Sequence, residues 1–75
     1  MAMNTTATLR GEGKEAIGQS MFSSRVAVII ARENWVKMHG PLPRVEHWKI
    51  EYRGVPLSHE EVENLTKGED RLWPN

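Results

Sequence analysis

The longest apolar stretch in the chain, Phe22 to Met38, contains six consecutive apolar residues, Val26-Ala27-Val28-Ile29-Ile30-Ala31, and runs on through Arg32 to His39 without a turn signal. A strand of six would need a Gly, a Pro or an Asn-Gly pair after Ala31, and none stands there. A helix can continue to Gly40 and meet the stop at Pro41. The spacing therefore predicts a helix, with Ser23 or Ser24 as its N-cap. At 100° per residue, Arg25, Arg32 and His39 fall on one narrow polar stripe, while most of the remaining circumference of its first half is apolar.

Beyond this helix, Gly40-Pro41-Leu42-Pro43 forms a stiff connection, since each proline fixes φ and biases the preceding residue toward extended geometry. His47 to Arg53 alternates, with Trp48, Ile50 and Tyr52 on one side and His47, Lys49, Glu51 and Arg53 on the other, which predicts a half-buried strand. Gly54 to Leu57 turns the chain. Ser58-His59-Glu60-Glu61 then reads as a capping box, with Leu57 and Val62 as its hydrophobic staple, opening a short helix from His59 to Lys67 that ends at Gly68.

Upstream, Ala7 to Arg10 suits a short edge strand able to pair with His47 to Arg53. Gly11 and Gly13 punctuate the chain, and Lys14 to Phe22 is helix-compatible, with Ile17 and Met21 four apart and Gly18 costing ~1 kcal/mol relative to Ala. Together these elements predict one α+β domain over residues 1–75: a long central helix, a short strand or two-stranded pair, and a capped C-terminal helix. Residues 1–6 and 69–75 read as loose tails.

Length changes the picture, because 75 residues hold one core and bury a low fraction of their surface. Small domains usually need a staple. With no cysteine there is no disulfide and no thiolate zinc site, so self-association is the expected one. Ten basic residues balance ten acidic ones. Their distribution is polar, with six basic against three acidic residues from Arg25 to Arg53 and the opposite imbalance from Gly54 onward. No run approaches the ~18 apolar residues of a membrane span, and no secretory leader is visible, so a cytoplasmic protein away from membranes is expected.

Catalytic and metal readings fare poorly. Gly11-Glu12-Gly13-Lys14 has Thr8 and Glu15 where a phosphate loop needs Gly and Ser or Thr. His39, His47 and His59 lack metal-site spacing, and the capping box already uses Ser58 beside His59. No catalytic residue, metal or cofactor is therefore expected. The remaining constellation is aromatic and basic: Arg25, Arg32, Trp35, Arg44, Trp48, Tyr52 and Arg53 are the candidate partner-binding residues. The expected function is a small non-enzymatic protein-binding module, a dimeric inhibitor or regulator occupying a surface on a larger protein. The alternative is nucleic-acid binding through Arg32, Lys37, Arg44, Lys49 and Arg53 with stacking on the aromatics.

Overall fold

Two Xaa-Gly pairs reverse the chain. Glu12 (φ 52°) with Gly13 (φ 77°), and Arg53 (φ 54°) with Gly54 (φ 80°), each place two successive residues in the left-handed region, as the tight turns whose twist matches paired strands require. In the computed structural model, which describes residues 5–67, the first pair joins β1 (Thr5–Gly11) to β2 (Lys14–Ser20). The second joins β3 (Trp48–Tyr52) to β4 (Val55–Leu57). β1 also pairs antiparallel with β3, from Ala7 opposite Tyr52 to Gly11 opposite Trp48, giving the sheet order β2-β1-β3-β4.

β2 and β3 thus run parallel with β1 between them. Helix α1 (Ser24–His39) makes the crossover, forming a split β-α-β unit. A 3₁₀ turn over Val45–His47 leads into β3, and α2 (His59–Leu65) follows β4.

This α+β architecture corrects the expected one. A long helix with one short strand or a two-stranded pair is replaced by a four-stranded antiparallel sheet carrying two helices. The difference arises mainly between Lys14 and Phe22, expected as helix and found as β2. There the period of two is present but muted, because the inward positions are Ala16, Gly18 and Ser20 while Glu15, Ile17 and Gln19 point outward. β1 also starts at Thr5, inside the stretch expected to be a tail. The expected tail over 69–75, with Leu72 and Trp73, lies outside the described residues.

Small inward residues on β2 let α1 come very close. A methyl added at Gly18 would run into the Ala27 carbonyl oxygen and the Ala31 amide nitrogen, so the helix backbone rests directly on the strand. Around this contact Ala27, Val28, Ala31 and Trp35 pack on Ala7, Leu9, Ala16, Trp48 and Ile50, with Leu42 from the proline-rich connection and Val62 from α2 closing the core. Arg32 joins them, fully buried, so the polar stripe expected of Arg25, Arg32 and His39 does not exist as one surface. Arg32 is not without a partner there, and its aliphatic stem shares the core.

Local signals place the helix ends. Ser23 accepts from the Val26 amide at 3.3 Å, and Gly40 closes α1 by donating to the Val36 carbonyl at 3.0 Å. In α2 both halves of the capping box form: the Glu61 amide donates to Ser58 Oγ at 3.1 Å, and the Ser58 amide donates to the Glu61 carboxylate at 2.9 Å. Both sheet edges are blunted. β4 has three residues with Pro56 at its centre, and α1 lays Asn34 Nδ2 on the Ile17 carbonyl (2.7 Å) and His39 Nε2 on the Glu15 carbonyl (3.0 Å) along β2. The carbonyl can only accept, so Nε2 of His39 carries the proton.

Candidate interaction surface

The seven residues singled out from sequence do not form one surface. Arg32 (0% exposed), Trp35 (1%) and Trp48 (6%) are enclosed. Trp48 donates its indole N–H to the Pro43 carbonyl at 3.1 Å, and Trp35 meets the His39 ring edge-on at 4.8 Å. Tyr52 is half-buried on β3, with the Arg53 guanidinium carbon 5.8 Å from its ring centroid. Arg25, Arg44 and Arg53 are exposed but stand on the first turn of α1, the proline-rich connection and the second hairpin turn; Arg44 lies 3.6 Å from Glu46. Arg32, Trp35 and Trp48 meet only inside the core, and Tyr52 and Arg53 form a cation–π contact outside it.

The polar side of the sheet is charge-matched. Strand alternation turns Thr6, Thr8, Arg10, Ile17, Gln19, Lys49 and Glu51 away from α1. Arg10 reaches Glu15 at 3.2 Å and Glu51 at 3.0 Å, leaving little uncompensated field, and these positions include no aromatic ring. Where the first hairpin meets the start of β3 there is an open depression of about 710 Å³, lined by Arg10, Lys14, Glu15, Glu46, His47 and Lys49 among others. Its acids and bases alternate, and the nearby His47 lies 3.5 Å from Glu12.

The histidines are dispersed. His39 meets Trp35 edge-on, His59 meets Trp48 edge-on at 4.7 Å, and His47 sits on the rim of the depression. Among the described residues no three His, Asp or Glu side chains converge on a point that could hold a metal, and no helix is long and apolar enough to cross a membrane.

What stands out instead is apolar and was not among the expected contacts. Between β2 and α1, Met21 is 67% and Phe22 88% exposed. Phe22 precedes the N-cap Ser23, where a hydrophobic residue usually staples onto the first helical turn. Here the residue it would reach is Ala27, which is fully buried in the core, so the ring is left outside. Its backbone is nonetheless fixed, since the Phe22 amide donates to the Ser20 hydroxyl at 2.9 Å and Ser20 is itself buried. The surface continues along α1 through half-buried Val26, Ile29 and Ile30 to exposed Val36. A clue existed in the sequence: Phe22, Ile29 and Val36 are seven apart.

Comparison with known proteins finds no matching family, no similar curated protein and no similar solved structure.

Proposed function

We propose that this domain is a non-enzymatic protein-binding module that presents Met21, Phe22 and the outer side of α1 to a larger protein, occupying part of its surface as a regulator or inhibitor would. The observation that carries the reading is Phe22, 88% exposed on a backbone anchored by Ser20. Aromatic and methionine side chains supply a disproportionate share of contact energy in protein interfaces, and an anchored backbone reduces the entropy lost on docking. The nucleic-acid alternative loses support because Trp35 and Trp48, two of the three rings it would use for base stacking, are enclosed and Tyr52 is half-buried, and Arg10 on the open side of the sheet is matched by two carboxylates.

The test compares affinity capture from native cells by the wild-type protein and by Phe22→Ser. The expected outcome is a discrete protein held by the first and lost by the second at unchanged melting temperature. Equal retention by both forms, or retention of nucleic acid with an affinity that falls steeply as salt rises, would overturn the proposal.

A further inference from the structure

The outer side of α1 is not only apolar but self-complementary. Ile29 and Val36 lie seven residues apart, with Val26 and Glu33 beside them, on the side opposite buried Ala27, Val28, Ala31 and Trp35. Charges are placed symmetrically about Ile29, with Arg25 four residues before it and Glu33 four residues after. Apolar residues are placed in the same way, with Phe22 seven before and Val36 seven after.

We infer that a second copy of this chain docks on α1, the two helices antiparallel about a twofold axis through Ile29. That axis sets Ile29 on its own equivalent once, and sets Arg25 on the second copy's Glu33 and Phe22 on the second copy's Val36, each of these two contacts occurring twice as an isologous interface requires. Arg25 has an interaction within its own chain, but a guanidinium carries five donors and can serve a second carboxylate.

Two further observations favour this occupant. The strand edges are closed by Pro56 on one side and by Asn34 and His39 on the other, so sheet-to-sheet extension is not available to a second copy. A domain this small also gains most from covering apolar surface that its own chain leaves exposed. The helix is about 24 Å long. Its outer side falls at or below the low end of specific interfaces, so the dimer is expected to be weak, with a Kd on the order of 10 μM.

This inference goes beyond the protein-binding reading, since a second copy seated on Phe22 and the outer side of α1 competes there with a larger protein. Sedimentation of purified full-length protein tests it alone, whereas capture of a larger protein tests the other. Across about 1 to 300 μM, the wild-type protein is expected to pass from monomer to dimer. Arg25→Glu alone and Glu33→Arg alone should each weaken association at least about tenfold, because like charges then face each other twice.

The double variant should restore dimerisation to within about threefold, and mixing the two single variants should give a heterodimer. Residues eight apart on one helix are about 12 Å apart along its axis and cannot pair within a chain, so rescue reports a contact between copies. Circular dichroism of every variant shows whether it folds. A wild-type monomer throughout the range overturns the inference, as does a dimer indifferent to the single variants, or folded single variants that neither the double variant nor mixing rescues.

Discussion

Replacing Gly18 by alanine adds one methyl group at the point where α1 touches β2. That methyl would lie inside contact distance of the Ala27 oxygen and the Ala31 nitrogen and 2.9 Å from the Ala31 Cα. All three are backbone atoms and cannot rotate aside, so the helix must lift from the strand, loosening Ala27, Val28, Ala31 and Trp35 in their packing. Overpacking of this kind costs about 1–3 kcal/mol and sometimes more. The reduced freedom of the unfolded chain returns roughly 0.4–1 kcal/mol, too little to offset it. Because all three overlaps are with backbone, the cost sits at the upper end of that range, and the net loss of about 2–2.6 kcal/mol compares with a total stability of roughly 4–11 kcal/mol for a domain of this size and lowers Tm by about 10–20 °C.

Thermal and urea unfolding followed by far-UV circular dichroism reads the change. Gly13→Ala is the control. Gly13 has φ 77° and a methyl there meets nothing within 4 Å, so only the left-handed backbone cost of about 1–2 kcal/mol applies. If Gly18→Ala melts within about 3 °C of wild type, or above Gly13→Ala, the direct seating of α1 on β2 is refuted.

Other outcomes follow from single contacts. Ser58→Ala removes the cap of α2 and should cost about 1 kcal/mol by urea midpoint; adding Glu61→Ala should cost little more, because the two side chains act as one box. Trp48→Phe breaks the 3.1 Å bond to the Pro43 carbonyl, whereas the Trp35 indole N–H has no acceptor among the described residues. Trp48→Phe should therefore destabilise by about 1 kcal/mol more than Trp35→Phe in parallel melts. Phe22→Ser should leave the monomer within about 0.5 kcal/mol of wild type while abolishing partner capture.

The parts legible in sequence were those whose determinants lie within a few residues. Ser58, Glu61, Leu57 and Val62 specify the start of α2 among themselves, and Ser23 and Gly40 bracket α1. β3 was legible because Trp48, Ile50 and Tyr52 are large enough to show the alternation. β2 was hidden because its inward side is made of Ala16, Gly18 and Ser20, whose meaning depends on a helix docking there. Arg32 inverted the helical wheel: polarity alone assigns a guanidinium to solvent, and only the surrounding fold makes it a core residue. The same wheel flagged surplus apolar surface on α1 and lines Phe22 up with Ile29 and Val36, but it does not show that Phe22 is exposed, which follows from Ala27 turning inward.

The bonds from Asn34 and His39 to the carbonyls of β2 tie the colloidal fate of the chain to the docking of α1. While the helix is seated, the outer rim of a seven-residue strand is occupied at Glu15 and Ile17. Once the helix detaches, that rim and the exposed Ile17 side chain form a bare template of the kind on which cross-β stacking begins, while β4, short and interrupted by Pro56, offers none. Fibrils grown from partly unfolded protein are therefore expected to nucleate at β2, with a lag time set by how often α1 opens rather than by global unfolding.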